Sequence, residues 1–424
     1  MGHHSAHGHD FSKRAGDFFL SPRTEILGGV SFGILLGLIA LVLGAMHYEA
    51  KVVWAAVLLN NFFFFSIALG GVAFSGMQDV VDAVWARPIK RIHESFASFL
   101  PISAGIFVVF LICVAGEWAQ AHTVFDWIAD EHTVSVISAM VGKNVWLQKN
   151  FMVTRNLVAL ALILILSRWQ LGMALKRDAA LLAGQGALAK ELGEKVHATL
   201  KYWSAPVLIV YALCFTLISF DLMMSLSPLW FSTLWAGWMF AIMMQTLCAM
   251  ILIFMFALRS TGIGSVIERQ QFHDVGKLLH GFTIFFAYLT YAHVLTYWYG
   301  NVPEETEYFI LRIDRNFPWL KLVIGIPLFA FVIPFFTLIL KQAKWTAAIT
   351  VPLCLGVLVA QWFTMILVVM PQVITGTKWK GPLLELGIFA MILSLFLASI
   401  FWFGKRYPMV AIADPLLPKS YEMH

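Results

Sequence analysis

Asp221 stands inside an apolar stretch, Ser204 to Leu226, that is otherwise long enough to cross a membrane. A carboxylate at that depth costs about 2.5–3.5 kcal/mol on insertion scales, so it persists where a partner or a function compensates. Arg155 and Asn156 lie in a second apolar stretch and His293 in a third. His293 belongs to a stripe: Thr290, His293 and Tyr297 are spaced i, i+3, i+7 and share one helical face, with Tyr288 and Tyr291 widening it. At the other end of that stretch sit His273, Asp274, Lys277 and His280. Imidazoles, hydroxyls and carboxylates strung across a membrane are the raw material of a proton relay. Histidine exchanges protons near neutral pH, and a dry carboxylate is raised toward that range. The same groups can bind a quinone, whose redox chemistry needs a proton partner. Packing supplies the competing account. Arg155 and Asp221 then form a buried ion pair, Asn60, Asn61 and Gln361 act as interhelical hydrogen-bond clasps, and His293 is a satisfied core histidine.

The elements that position these residues follow from composition. The 424 residues are 60% hydrophobic, 15% aromatic and 12% charged, with a mean hydropathy of +0.80. A soluble domain carries about a quarter charged residues, so the expected fold is an all-α polytopic membrane protein. Ten spans are expected, at about 26–46, 52–77, 99–116, 150–167, 204–226, 231–258, 279–299, 318–340, 345–370 and 383–403. Residues 1–25 read as a solvated His-rich tail (His3, His4, His7, His9) and 404–424 as a C-terminal tail. The first segment lacks the apolar core and cleavage site of a signal peptide, so the first span serves as an uncleaved insertion signal. Cys113, Cys214, Cys248 and Cys354 each lie alone in an apolar run, which predicts no disulfide, attached haem or iron–sulfur cluster in this chain.

An even number of spans puts both termini on one side. Placing them in the cytoplasm leaves twenty Lys/Arg on that side against eight opposite, with Arg155 inside the fourth span. Asp221, Arg155, Asn156 and His293 then share the outer half of the membrane, with Asn60 and Gln361 near its middle and Glu117 and Glu385 capping outer ends. Residues 168–201, with Gly184 and Gly186, read as a broken helical hairpin on the cytoplasmic surface. The outer loops 117–149 and 300–317 are acidic (Asp126, Asp130, Glu131; Glu304, Glu305, Glu307) and are solvated or dock a partner. Tryptophans near span ends (Trp54, Trp203, Trp230, Trp298, Trp319, Trp345, Trp402) fit an interfacial belt. No P-loop, G-x-S-x-G or H-E-x-x-H occurs, so catalysis by this chain alone is not expected. A stand-alone proton-coupled transporter is the reading from another class; Pro206, Pro327, Pro334 and Pro352 can break helices, but no paired interruptions appear in corresponding halves.

Three blocks carry a family resemblance. His273-Asp-Val-Gly-Lys277 runs on through Trp298-Tyr-Gly-Asn-Val-Pro-Glu304-Glu305-Thr306. The second is Ser219-Phe-Asp221-Leu-Met-Met-Ser225-Leu-Ser-Pro228-Leu-Trp230-Phe-Ser-Thr. The third runs from Val53-Trp54 through Asn60 to Phe99-Leu100-Pro101. Over about residues 25–405 the chain resembles the ActF-type membrane subunits of bacterial alternative complex III, within the NrfD-like (polysulfide-reductase membrane subunit) family. The resemblance implies two four-helix bundles, about 52–226 and 231–370, flanked by spans 26–46 and 383–403. It implies a cofactor-free subunit of a quinol-oxidising complex in the bacterial inner (plasma) membrane, structural and conducting protons, or binding menaquinone or ubiquinone itself. Implied partners are an ActC-like membrane paralogue and periplasmic subunits holding iron–sulfur clusters and haem c, with lipid around the spans and no nucleic acid. Asp221, His293, Arg155, Tyr291, Tyr297, Thr290 and Asn60 are the outer candidates for a proton path or quinone site, and His273, Asp274, Lys277 and His280 the inner ones. The chain also departs from the pattern. Ser227 and Leu229 stand where the motif often has Asp and His, and His293 stands where it often has Gln.

Overall fold

The computed structural model describes residues 14–21, 24–140, 142–313, 318–374, 379 and 381–422. His3, His4, His7, His9, Lys13, Arg23, Arg315, Lys378, Lys380 and the Glu304 side chain lie outside the described residues. Among those described, every regular element is helical, and ten helices are long and apolar enough to cross a membrane. They are α1 (Ile26–His47), α2 (Ala50–Val80), α3 (Val84–Ala115), α4 (Lys149–Leu182), α5 (Gly186–Leu226), α6 (Trp235–Ala257), α7 (Arg269–Gly300), α8 (Leu320–Ile339), α9 (Ala347–Val373) and α10 (Leu383–Arg406). The fold is that of an all-α polytopic membrane protein.

Helices α2 to α5 close one bundle and α6 to α9 a second, with α2 packed on α6 and α9 between them. On the flank α1 pairs with α10, which rests on α2. Small residues set the α1–α10 distance, as expected where lipid gives no hydrophobic drive for helices to associate. A Cβ on Gly387 would stand 2.3 Å from the Ala40 Cβ, and one on Gly37 2.9 Å from the Gly387 carbonyl oxygen. The other face of α1, with Phe32, Leu35, Val42 and Met46, is exposed, as a lipid-facing surface must be. The expected hairpin between α4 and α5 forms, and it breaks at Gly184, whose φ of +75° is one that glycine adopts far more readily than residues with side chains.

Both described ends lie on one side, here the terminal side, and neither is a free tail. The Leu20 amide donates to the Gly404 carbonyl at 2.8 Å and the Met409 amide to that of Phe18 at 2.8 Å; Phe18, Met409 and Val410 are fully buried. The flexible tail expected at the N-terminus thus gives way, over residues 14–21, to a segment docked on the end of α10.

The third span departs from its expected bounds, beginning at Val84 rather than near residue 99. Its first turns carry Arg87, Lys90, Arg91, His93 and Glu94, which fall between the expected second and third spans and are all buried. Four cations, Arg87, Lys90, Arg91 and Arg177, face four acids, Asp79, Glu94, Asp178 and Asp414, and each of the eight is at most 3% exposed. Arg87 holds Asp79 at 2.8 Å and Asp414 at 3.4 Å, and Lys90 also bonds Asp79. Arg91 bridges Glu94 at 2.7 Å and Asp178 at 2.5 Å, while Arg177 holds Asp414 at 2.8 Å. The network ties α2, α3, α4 and the C-terminal segment into one neutral block. Burial alone would raise the Asp414 carboxyl, but Arg177, Arg87 and Lys90 outweigh it and hold the group well below the usual carboxylate range.

Asp414→Asn removes the acceptor that Arg87 and Arg177 share and should destabilise the protein by about 3–5 kcal/mol, read as thermal melting in detergent. A lowered folded-state value means the contribution is complete at neutral pH and is lost only as pH falls below about 4. The gap between wild type and variant should therefore narrow in acid. An unchanged melting temperature at pH 7 would contradict this role.

Candidate functional site

On the side opposite the termini, the far side, the polar residues resolve into two separate groups. The first surrounds Asp221, fully buried near the end of α5. Arg155 on α4 grips both carboxylate oxygens, Nε to Oδ2 at 2.6 Å and Nη2 to Oδ1 at 2.5 Å. Asn156 Nδ2 donates to Oδ2 at 2.6 Å and Trp146 Nε1 to Oδ1 at 3.1 Å. Trp146 comes from the short helix Lys143–Trp146, which lies over the pair. Its ring stacks 4.0 Å from the Arg155 guanidinium, and its carbonyl accepts from Arg155 Nη1 at 2.8 Å. Lys143 pins the same helix to the Pro228 carbonyl at 2.8 Å. With four donors on one carboxylate, this is a closed, fork-shaped ion pair that locks α4 to α5.

The second group lines a cavity of about 520 Å³ between α6, α7, α8, α9 and the short helix Pro303–Ile313. The stripe Thr290, His293 and Tyr297 forms part of its wall. Thr290 accepts from Trp238 Nε1 at 2.9 Å, and Tyr297 donates to the Phe231 carbonyl at 2.6 Å. His293 is 6% exposed, and its Nδ1 lies 2.9 Å from the Leu289 carbonyl one turn back. A carbonyl only accepts, so Nδ1 carries the proton and Nε2 of the neutral ring is left as an acceptor. Among the described residues Nε2 has no partner, and neither does Nε1 of Trp230, also on the cavity wall.

Proline chemistry shapes the rest of the wall. Pro371 in α9 has no N–H, so the Leu367 carbonyl one turn back loses its helical donor. Arg312 fills the gap, Nε to Leu367 O at 2.9 Å and Nη2 to Val368 O at 3.1 Å, and so fastens the helix Pro303–Ile313 to α9. Its guanidinium lies 3.5 Å from the Tyr308 ring centroid, and Tyr308 stacks on Trp230 at 3.9 Å. Burial lowers the Arg312 guanidinium from its ordinary value with Tyr308 opposing, yet an arginine stays charged. Beyond Pro327, α8 widens into a π-helical turn at Leu328–Val332. Gln245 on α6 donates to the Ala330 carbonyl there at 2.7 Å and to Thr283 at 3.0 Å, and accepts from Gln361 at 2.5 Å. Four helices are thereby clasped at mid-depth.

Among the described residues no hydrogen bond joins the two groups directly. The partners of Asp221 lie on α4 and the Lys143–Trp146 helix, none on α7. From α5 toward His293 one hydrogen bond is followed by two tilted ring contacts: Trp235 donates to Ser219 O at 3.3 Å and packs on Trp238 at 5.5 Å, which packs on His293 at 5.7 Å. Tyr288 and Tyr291 are 63% and 62% exposed and point away from the stripe, so they do not widen it. Asn60 is fully bonded, donating to Ala56 O at 2.8 Å and Glu385 O at 3.1 Å and accepting from Trp362 at 2.8 Å. Asn61 pairs with Ser103 across α2 and α3. The inner residues stay near the terminal side: Lys277 pairs with Asp274 at 2.6 Å, His280 stacks on Phe335 at 5.2 Å, and His273 faces Trp345 at 6.1 Å. Trp203, Trp298 and Trp402 are exposed as a belt requires, whereas Trp230 and Trp319 are buried. Gln245, Trp146 and Arg312 were not singled out from sequence. Gln245 carried the same signal as Gln361, a lone amide in an apolar span, and Arg312 sits four residues after Tyr308, the spacing that stacks them.

No family model matches this chain, and no curated protein matches it.

Asp221→Asn strips one partner from a buried pair and should cost about 3–5 kcal/mol of stability. Arg155→Gln in the same background should recover part of that loss, giving a coupling energy above about 1 kcal/mol in a double-mutant cycle. Additive melting-temperature losses would argue that the two charges act independently.

Proposed function

We propose that this chain is an integral subunit of a quinol-oxidising complex of the alternative complex III kind, lying in a bacterial plasma membrane with both termini cytoplasmic. In this reading it carries no redox centre. Periplasmic iron–sulfur and haem c subunits take the electrons, and an ActC-like paralogue lies beside it. One observation supports it above others: two of the sequence blocks on which the family resemblance rests, far apart in the chain, meet on one wall. Tyr297 of one block donates to the Phe231 carbonyl of the other, and Trp230 stacks on Tyr308, two residues beyond the first block. Residue runs that define a type of protein and converge in space are those a shared function would hold together.

Roles within that reading follow from the bonding. Asp221 is saturated by four donors, so moving a proton through it means breaking a buried ion pair, and its role is to hold α4 on α5. His293 lines the cavity and its Nε2 has no partner among the described residues, which makes it the exchangeable group of the stripe. The transporter reading gains no support. Inverted repeats place helix breaks in corresponding positions; α8 is broken after Pro327, while its counterpart α4 runs unbroken from Lys149 to Leu182.

Extraction of the native membrane in mild detergent, with capture on this chain, should bring down subunits showing haem c absorbance and acid-labile sulfide. A chain that purifies alone, monodisperse and without haem, would refute membership of such a complex.

A further inference from the structure

We propose that the far-side cavity of the second bundle binds the planar, hydroxyl-bearing aromatic head group of a lipid-tailed quinol, with His293 Nε2 accepting from a ring hydroxyl and Trp230 Nε1 donating to a ring oxygen. The choice of quinol over another hydroxyaromatic lipid rests on the proposed function; the site itself does not.

Volume, lining and unpaired atoms each constrain the ligand. At about 520 Å³ the cavity matches the size of small-molecule sites and exceeds what a few waters fill. Eight of its 22 lining residues are Phe, Tyr or Trp, surfaces against which a planar ring packs, and Trp230, Tyr308 and Arg312 form one continuous stack in that wall. Residues on its rim, Val294, Trp298, Ile310 and Ile313, are exposed and apolar or amphipathic, so the opening faces lipid and a long apolar tail can leave through it. Two residues of this wall, His293 and Trp230, each carry a buried polar atom with no partner among the described residues, one an acceptor and one a donor, both on side chains more than nine-tenths buried. An unpaired polar group in such surroundings is expensive, and the matching ligand offers one donor and one acceptor on a rigid ring. A saturated acyl chain fills the space but leaves both atoms unpaired. A phosphate or carboxylate would meet the Arg312 charge, yet three of the Arg312 donors are already committed to backbone carbonyls.

The test uses the purified full-length protein, in its complex where one is captured, and the quenching of tryptophan fluorescence by a short-tailed naphthoquinol. Wild type should show saturable quenching. His293→Leu should bind at least tenfold more weakly, and His293→Gln, whose amide oxygen still accepts, should recover part of the loss. The dimethyl ether of the same quinol has no hydroxyl to donate. It should bind wild type at least tenfold more weakly than the quinol does, and should bind His293→Leu no differently from the quinol. Val294→Trp, at the rim, should block both probes while leaving melting unchanged. Absence of saturable binding, or equal affinity of wild type for quinol and ether, overturns the proposal. So does organic extraction that yields phospholipid the quinol cannot displace. Quinol binding by a chain that purifies without haem partners would keep this site and remove the complex; a haem-bearing complex whose quinol affinity ignores His293 would do the reverse.

Discussion

Inside the apolar slab no water is at hand, so each polar group must find its partner within the chain. The arrangement of the bundles follows from how that demand is met. Asn60 reaches from α2 to Glu385 and Trp362, Asn61 couples α2 to α3 through Ser103, and Gln245 with Gln361 links α6 to α9 while covering the carbonyl exposed by the π-turn of α8. Arg312 supplies the donor that Pro371 cannot. Each bond joins elements distant in sequence, and together they fix which helices adjoin where apolar packing alone discriminates weakly.

The same demand separates structural from functional polar residues. Asp221, the most expensive group in the sequence, is also among the best satisfied, with four donors on two oxygens. Its charge is explained once Arg155 is placed. His293 is cheaper to bury and less satisfied: one nitrogen turns back to its own helix, and the other, on a residue of the cavity wall, has no partner among the described residues. An intramembrane ionisable residue is a fair default candidate for function, but bonding, not cost, decides which candidates survive.

Much of the fold was legible because membrane helices announce themselves by length and apolarity. The ten spans, the shared side of the described ends, the break near Gly184 and the shared face of Thr290, His293 and Tyr297 all follow from local properties of the chain. What stayed hidden was tertiary. Arg87, Lys90 and Arg91 entered only as charges on the cytoplasmic side, because nothing local says that Asp79, Glu94, Asp178 and Asp414 will neutralise them. Depth along each span was readable and grouped Asp221 with His293. Azimuth was not, and it turns Asp221 toward α4, His293 toward the cavity and Tyr291 outward. The cavity itself has no sequence signature, since it is made by a returning helix and a proline-opened turn.

The most direct measurement is a high-resolution structure of the assembly extracted in native lipid. The account predicts a planar head group within hydrogen-bonding distance of His293 Nε2, the Asp221–Arg155 pair intact, and haem-bearing subunits on the far side. A cavity filled by an acyl chain or closed by repacked indoles, in a protein with no such neighbours, would contradict it.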